Sequence, residues 1–288
     1  MEVKTIAVIG AGTLGRGIAQ AAALAGYRTI LEDLLPSSLR RAESEIRTEL
    51  EQEFEQGTLG ATERTAALGR LHYADGIDEA VAEADMVMEA VPEEIDSKLE
   101  IFTTLDKMAP PRTIIASVTA SLSLTELAGM TYRARRCVGM HFTHPVSGMK
   151  LLEVIRGLET DDESVAAAVT VARRLGKEPI VVRESAGYIT ARVQALIGNE
   201  AFALLQEGVA SAADIDKAFT LGLKHATGPF SQMDQEGLDN RLHLLERLHQ
   251  TLGEKFRPHP LLVQYVKAGR LGKKSGKGIF EYPDEPRR

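Results

Sequence analysis

The 288-residue sequence predicts an α/β protein in which a doubly wound sheet is followed by an all-helical C-terminal domain. A glycine-rich turn joins the first predicted strand to the first predicted helix, and strand and helix patterns then alternate as far as residue 183. Such alternation is typical of a mostly parallel sheet with helices on both faces. No strand pattern recurs from residue 185 until the C-terminal tail. We therefore expect two domains, formed by residues 1–184 and 185–288.

The first βαβ unit has the pattern of a Rossmann-like dinucleotide-binding fold. The β-branched run Thr5–Ile9 predicts a buried strand, and the sequence GAGTLG follows it directly. In this GxGxxG pattern Gly10 permits a tight turn, Gly12 lets the backbone approach a pyrophosphate, and Gly15 lets the helix pack closely on the strand. The helix start supplies free NH groups and the positive end of the helix dipole. The cofactor-binding residues predicted in this turn are therefore Gly10, Gly12, Thr13, Leu14 and Gly15.

The acid after the second strand indicates which dinucleotide binds. The run 27–31 predicts that strand, and Glu32 and Asp33 close it. At this position Asp33 would accept hydrogen bonds from the adenosine ribose hydroxyls and repel a 2′-phosphate. No arginine follows it directly, so the sequence favours NAD(H) over NADP(H). Flavin enzymes use a similar glycine pattern, but nothing else in the chain indicates FAD.

The elements between Asp33 and residue 183 follow from apolar spacing and from the prolines and glycines at their ends. Two polar helices, the first from Pro36 to Gly57 and the second at 61–71, form a hairpin that leaves the sheet. Further strands are expected at 84–91, 113–117, 137–142, 151–155 and 179–183. Further helices are expected at 97–108, 124–128 and 161–175.

The second domain is predicted to be helical and to pair two subunits. Helices are expected at 187–208, from 211, and at 239–252 and 261–267. The apolar side of the first is expected to carry Ile189, Val193, Leu196, Ile197 and Leu204. Separate helical domains often pair subunits, so we expect a homodimer. The basic, glycine-rich tail at 269–282 has two interpretations, a packed structural turn or a phosphate site.

The segment 140–155 carries the strongest sign of acid–base chemistry. His141 ends one apolar run, and Glu153 lies within the next, beyond a turn that contains proline and glycine. Adjacent strand ends would bring the two side chains together at the mouth of the sheet. A histidine that transfers a proton needs a carboxylate to hold its ring, so we expect His141 and Glu153 to be catalytic. The alternative is a buried structural histidine beside an unrelated surface glutamate.

Composition excludes several functional classes. The net charge of −7 argues against a nucleic-acid partner. No segment approaches the roughly 20 apolar residues of a membrane helix, and the first apolar run is too short for a signal peptide. The single cysteine, Cys137, excludes an internal disulfide and indicates a cytoplasmic protein. No cysteines and histidines have the spacing of a zinc site, so no metal is expected.

Several ordered motifs resemble the 3-hydroxyacyl-CoA dehydrogenases, especially the short bacterial 3-hydroxybutyryl-CoA dehydrogenases. They cover nearly the whole chain: VIGAGTLGRGIAQ, EAVPEE, MHFTHPVSGMKLLEVIRG, SAGYITAR, LLQEGVASAADIDKA and AGRLGKKSGKG. The resemblance implies an NAD-dependent oxidoreductase with a Rossmann-like domain and a helical dimerisation domain. It implies that His141 is the acid/base and Glu153 its partner. Glu93 and Lys98 match family residues near the nicotinamide half of the cofactor.

The chain departs from the family where the substrate would bind. The family sequence S-N-T-S-S-L is replaced here by SVTASL, so Val118 and Ala120 stand in place of an asparagine and a serine. Two further family asparagines are His144 and Ala191 here. The usual K-G-K of the hairpin is replaced by QGT at 56–58, which removes lysines that would face CoA phosphates. The predicted substrate-binding positions are Thr119, Ala120, His144 and Ala191.

These departures leave three hypotheses open. The first is a 3-hydroxyacyl-CoA dehydrogenase with a rebuilt site for the substrate oxygen. The second is an NAD-dependent reductase of the same fold that acts on a smaller non-CoA ketone, hydroxy acid or imine. The third is a non-catalytic NAD-binding relative, against which the retention of His141 and Glu153 argues. The side chains nearby in sequence that are able to replace the lost donors are Thr119, Ser121, His144 and Thr190.

Overall fold

The computed structural model describes residues 2–282. The chain divides into two compact units, residues 1–184 and 185–288. The first unit holds all the named strands of the described chain, and the described part of the second holds helices, short turns and two isolated β-bridges. The predicted fold class, a doubly wound α/β domain followed by a helical one, is confirmed.

The first unit is built on one eight-stranded sheet with the strand order β3-β2-β1-β4-β5-β6-β7-β8. Its strands are β1 (Thr5–Ile9), β2 (Arg28–Glu32), β3 (Leu71–Ala74), β4 (Met86–Glu89), β5 (Ile114–Ser117), β6 (Cys137–Phe142), β7 (Leu151–Arg156) and β8 (Glu178–Arg183). Neighbouring strands are parallel except at β6 and β7, which form an antiparallel pair. The carboxyl ends of β1, β2, β4, β5 and β6 therefore meet at one edge of the sheet.

The helices of the first unit are α1 (Thr13–Leu24), α2 (Pro36–Glu55), α3 (Ala61–Arg70), α4 (Ile77–Val81), α5 (Ile95–Met108), α6 (Leu124–Gly129) and α7 (Asp162–Arg174). The core on the α1 side of the sheet includes strand residues such as Val8, Leu31, Met88 and Met140. Because side chains alternate along a strand, the residues next to these point to the other face. This alternation decides where the polar residues at the strand ends lie.

Two elements of this unit were not predicted. Strand β3 begins directly where α3 ends. Leu71, the first residue of β3, was included in the helix predicted at 61–71. Its sequence, LHYA, is only four residues long and carries no turn signal before it. Helix α4 is five residues long and is likewise too short to give a periodic pattern.

In its described part, residues 185–282, the second unit contains five α-helices around its own apolar core. They are α8 (Thr190–Gln206), α9 (Ala212–Lys217), α10 (Pro229–Glu236), α11 (Leu238–Leu252) and α12 (Pro260–Lys267). Helix α10 was not predicted, and α8 begins three residues later than expected.

The predicted apolar side of α8 is right in part, because Leu196 and Leu204 pack against the core of the second unit whereas Ile189 and Val193 do not. Ile189 and Val193 are 50% and 51% exposed. The fully buried positions of α8 carry mainly small residues, with Phe202 as the large one. Small side chains let helices approach closely, and hydrophobicity alone does not reveal this. Gly198, for example, leaves no room for a Cβ beside the sulfur of Met233.

The glycine-rich tail packs around the fully buried Asp234. The carboxylate of Asp234 accepts hydrogen bonds from the backbone NH groups of Ile279 and Phe280, each at 2.9 Å. It also accepts the Tyr282 hydroxyl at 3.0 Å. A Cβ at Gly272 or Gly278 would overlap Asp234, which explains these glycines. Of the two interpretations of the tail, these contacts favour the packed structural turn.

Candidate active site

The antiparallel pair β6 and β7 brings His141 and Glu153 together. The two residues lie directly opposite each other in the strand register. His141 Nδ1 is 2.7 Å from Glu153 Oε2, and the two side chains are 11% and 1% exposed. A carboxylate only accepts hydrogen bonds, so the Nδ1–H donates and the Nε2 atom is directed away from Glu153. This is the arrangement of a histidine whose orientation is fixed for proton transfer.

The glycine-rich loop has the shape of a phosphate cradle. Gly10 has φ +105°, and a Cβ there would lie 2.7 Å from the carbonyl oxygen of Ala90. A Cβ at Gly15 would overlap the carbonyl oxygen of Gly10. Gly12, in contrast, is the N-cap of α1, and a Cβ there would meet no atom within 4 Å. The loop therefore leaves room at Gly12, at the positive end of the helix, for a pyrophosphate.

Asp33 links the glycine-rich loop to the start of α2. Its Oδ2 atom accepts the Ala11 NH at 2.8 Å, and its Oδ1 atom accepts the Leu35 NH at 2.9 Å. Each carboxylate oxygen keeps a further lone pair, so hydrogen bonds to a ribose are still possible. The structural use of Asp33 was not foreseen, because these bonds depend on the folded loop.

A buried ion pair lies at the end of β4. Glu89 and Lys98 are both fully buried, and Lys98 Nζ is 2.6 Å from Glu89 Oε1. Glu89 also accepts the Ser117 hydroxyl at 2.7 Å and the Val91 NH at 2.9 Å. Burial raises the pKa of the Glu89 carboxyl, and this effect is larger than the lowering effect of the Lys98 charge. Sequence reasoning identified Lys98 but missed Glu89 and Ser117. The sequence does contain a signal for this pair, because Glu89 is an acid at the end of a buried strand and Lys98 follows it nine residues later.

Glu93 organises the loop after β5. Its Oε1 atom accepts the Thr119 hydroxyl at 2.6 Å, and it accepts the Ala120 NH at 3.0 Å and the Ser121 NH at 3.1 Å. The Ser121 hydroxyl reaches the same oxygen at 3.1 Å. The second oxygen of Glu93 is 3.7 Å from Lys98 Nζ. A chain of charges therefore runs from Glu89 through Lys98 to Glu93 and fixes the backbone at 119–121.

The remaining predicted residues are dispersed. Thr13 and Leu14 lie in the first turn of α1. Ala120 is half-buried in the loop held by Glu93, and His144 is exposed just beyond the end of β6, before a cis-proline. Ala191 is buried in the first turn of α8, in the second unit. In the part of the chain that the structure describes, no group of three or more acidic, histidine or cysteine side chains is arranged to hold a metal ion.

Five polar residues near this edge lie on one face of the sheet. Leu31, Met88, Ala116, Met140 and Leu152 pack in the core on the α1 side. Their neighbours therefore point to the opposite face. Those neighbours are Glu32, Glu89, Ser117, His141 and Glu153.

Within residues 2–282, no helix has both the length and the apolar character needed to cross a membrane.

The glycine-rich loop at Gly12, the acid at Asp33 and the His141–Glu153 pair are features expected of an NAD-dependent oxidoreductase. Family models agree: the NAD-binding domain of 3-hydroxyacyl-CoA dehydrogenase matches residues 5–185, and its C-terminal domain matches residues 187–282. The chain belongs to the 3-hydroxyacyl-CoA dehydrogenase family, and its cofactor is NAD.

Similar proteins cover the chain from end to end. A probable 3-hydroxybutyryl-CoA dehydrogenase of Bacillus subtilis is 42% identical over 286 residues, 99% of each chain. The crystal structure of (S)-3-hydroxybutyryl-CoA dehydrogenase from Ralstonia eutropha has a TM-score of 0.92 at 38% identity, covering 98% of this chain and 99% of that one. A diketoreductase structure has a TM-score of 0.84 at 31% identity, covering 98% and 100%.

Proposed function

We propose that the protein interconverts a 3-hydroxyacyl-CoA and the corresponding 3-oxoacyl-CoA, in the manner of a 3-hydroxybutyryl-CoA dehydrogenase. The observation that supports this most directly is the His141–Glu153 pair, 2.7 Å apart at the edge of the sheet that also bears the glycine-rich loop. A fixed base beside a bound nicotinamide is what oxidation of a secondary alcohol requires. The names of similar proteins supply the substrate class.

In this mechanism His141 moves the proton. Its Nε2 atom takes the proton of the substrate hydroxyl, and Glu153 stabilises the imidazolium that forms. Bound NAD⁺ supplies the hydride acceptor. In the reductive direction the protonated His141 returns the proton to the developing alkoxide. The burial of Glu153, 1% exposed, strengthens its interaction with the imidazolium because water screens it little.

The donors that stabilise the substrate oxygen differ from those of the family. Ala120 and Ala191 have no side-chain donor, and the hydroxyl groups of Thr119 and Ser121 both donate to Glu93. One donor to a developing oxyanion is commonly worth about 10²–10³ in rate. Of the alternatives that the sequence leaves open in the first unit, we propose His144, because it follows the strand of His141 and carries an N–H. Its role is testable by His144→Phe, which should lower kcat without changing NADH affinity.

The test of this function is NADH oxidation at 340 nm with acetoacetyl-CoA. We expect turnover by the unaltered protein and a loss of roughly 10²–10⁴-fold in kcat for His141→Gln, with NADH binding retained. The matched control is His72→Gln, because His72 is an exposed histidine on β3, away from the site. Full activity of the His141→Gln protein would disprove the catalytic assignment.

A second candidate is a reductase for a free ketone or dicarbonyl compound without CoA. The favouring observation is the charge of α2, which carries six glutamates, three arginines and no lysine. Arg47 pairs with Glu43, and Arg64 of α3 pairs with Glu51, so part of the positive charge of the hairpin is neutralised. CoA phosphates would meet little free positive charge there. The similarity to a diketoreductase, described as acting on dicarbonyl compounds, agrees with this interpretation.

The same assay separates the two candidates. Acetoacetyl-CoA is compared with free diketones, keto acids and ketones with ammonia, all with NADH as the reductant. Turnover of acetoacetyl-CoA alone supports the CoA-linked function. No turnover of acetoacetyl-CoA, together with turnover of a free ketone or a ketone–ammonia mixture, supports the second candidate.

We further propose that the second unit pairs two subunits, that the protein is cytoplasmic and that it serves fatty acid metabolism. The proposed pairing is supported by exposed apolar side chains of this unit: Ile189, Val193, Val209, Leu221 and Leu223. The single cysteine, Cys137, is buried and forms no disulfide, as in proteins of a reducing compartment. Fatty acid metabolism follows from a 3-hydroxyacyl-CoA substrate.

A further inference from the structure

Glu32 is a second carboxylate at the cofactor edge of the sheet. It is the last residue of β2, and its register partners are Ile9 of β1 and Ala74 of β3. Its carbonyl oxygen accepts the Gly10 NH at 2.8 Å, which fixes its backbone against the glycine-rich loop. The residue is only 4% exposed. Its position is therefore rigid and next to the predicted phosphate cradle.

The Glu32 carboxylate makes no hydrogen bond or ion pair with any residue that the structure describes. Such a group is unusual, because buried carboxylates are almost always paired. Neither oxygen is fully sealed from solvent. The carboxylate thus ends a strand, partly open, at the edge where a dinucleotide would lie across the sheet.

The charges around Glu32 are mostly negative. Asp33 follows it directly, Asp75 follows the end of β3, and Asp78 and Glu79 are in the first turn of α4, which packs against β2. These last three are exposed to solvent, as is His72, which lies on the same face of β3 as Ala74, the register partner of Glu32. Across β1, the next strand end carries Glu89, which is bound to Lys98. Burial, and then the charge of Asp33, raise the pKa of the Glu32 carboxyl to about 7.

We propose that Glu32 meets the adenosine half of NAD(H) in its protonated form, so that cofactor binding takes up a proton and weakens as the pH rises above neutrality. A protonated carboxyl is able to donate a hydrogen bond to a ribose oxygen or an adenine nitrogen, whereas Asp33, which already accepts two NH groups, is able only to accept. Covering the strand end with the cofactor removes water from Glu32 and favours the neutral form further. The ionised form would also repel the pyrophosphate.

The test is the pH dependence of cofactor binding without substrate, measured by calorimetry between pH 6 and 8.5. The ligands are NADH and ADP-ribose, because ADP-ribose contains the adenosine half and lacks the nicotinamide. One linked proton changes Kd by at most about tenfold per pH unit, and we expect a total rise of roughly three- to tenfold for both ligands. The Glu32→Gln protein should keep the low-pH affinity and lose the slope.

The matched control is Asp75→Asn, which removes an exposed carboxylate at the neighbouring strand end. It should keep the wild-type slope. A slope in the Glu32→Gln protein equal to that of the wild type would overturn the proposal, and so would a flat wild-type profile. A slope seen with NADH but not with ADP-ribose would also overturn it, because the titrating group would then lie at the nicotinamide end.

A measurement on the unaltered protein keeps the proposal testable if Glu32→Gln fails to fold. Binding enthalpies of ADP-ribose are compared at pH 7.5 in two buffers of different ionisation enthalpy. We expect uptake of a fraction of a proton, and no net uptake would contradict the proposal. Because no substrate is present, the outcome is independent of which carbonyl compound the enzyme reduces.

Discussion

In the proposed mechanism Glu153 acts on the substrate only through His141. The variant Glu153→Gln keeps an oxygen that accepts the Nδ1–H but removes the charge that stabilises the imidazolium. We expect kcat to fall by about 10²-fold, with little change in the Kd of NADH. Steady-state kinetics and cofactor titration on the same preparation measure both quantities.

Glu159→Gln is the control for Glu153→Gln, because Glu159 is an exposed glutamate shortly after the same strand. It should behave as the unaltered protein. An unchanged kcat in Glu153→Gln would show that the carboxylate charge has no part in proton transfer.

Glu32 should make the folded protein less stable as the pH rises. Its pKa is about 7 in the folded chain against 4.5 for the ordinary group. A raised carboxyl pKa means that the folded state holds its proton more tightly, so the stability from this proton is complete below pH 4.5 and is lost as the pH rises through about 7. Glu32→Gln should therefore be more stable than the wild type at pH 8, by about 1–3 kcal/mol.

The measurement is urea denaturation of both proteins at pH 8 and at pH 5. The gain should shrink toward zero at the lower pH, where Glu32 is protonated in the folded wild type. An equal gain at both pH values would point to packing rather than ionisation as its cause.

At the scale of single elements, the glycine-rich loop offers a matched pair of substitutions. A Cβ at Gly15 would overlap the Gly10 carbonyl, whereas a Cβ at Gly12 would enter open space. Gly12→Ala should keep the thermal midpoint of the free protein and weaken NADH binding by about 10-fold or more. Gly15→Ala should lower the thermal midpoint even without cofactor.

Thermal unfolding with and without NADH distinguishes the two effects. Equal losses of stability in both free variants would contradict the assignment of Gly12 to ligand approach and Gly15 to packing.

The sequence anticipated the long elements better than the short ones. The first βαβ unit and the strands of His141 and Glu153 were predicted because apolar runs, glycines and prolines mark their ends. Strand β3 was missed because its four residues follow α3 without a break. The inward side of α8 was predicted only in part, because Leu196 and Leu204 pack there as expected but the fully buried positions include small residues such as Ala195 and Gly198.

The sequence indicated His141, Glu153 and Lys98 as candidate site residues, but not Glu89 or the contacts that connect these side chains. The pairing of His141 with Glu153 follows from two adjacent strands and one turn, which are visible in the sequence. The Glu89–Lys98–Glu93 chain is not, since it joins the ends of β4 and β5 with the start of α5 through tertiary contacts. Only the folded structure shows that the hydroxyl groups of Thr119 and Ser121 both donate to Glu93.

At the scale of the whole molecule, we expect a homodimer formed through the second unit. Light scattering should give about twice the chain mass of 31.3 kDa. Leu221→Glu places a charge on an apolar residue of this unit that is 62% exposed, and it should shift the mass toward that of the monomer.

Leu158→Glu is the control for this substitution, because Leu158 is a 79% exposed leucine of the first unit. Its mass should equal that of the unaltered protein. A monomer mass for the unaltered protein would refute the dimer.

Asp33 accepts two backbone NH groups, and these hydrogen bonds matter for any attempt to engineer this enzyme to use NADP(H). The usual exchange of this acid for a small neutral residue would also detach Ala11 and Leu35, and so loosen the turn that must hold the new cofactor. Leu34 and Leu35, which are 90% and 58% exposed, have side chains open to replacement. A designer would do better to introduce arginine there and to replace Asp33 with asparagine, which has no charge to repel the 2′-phosphate and keeps one oxygen that accepts a backbone NH of the loop.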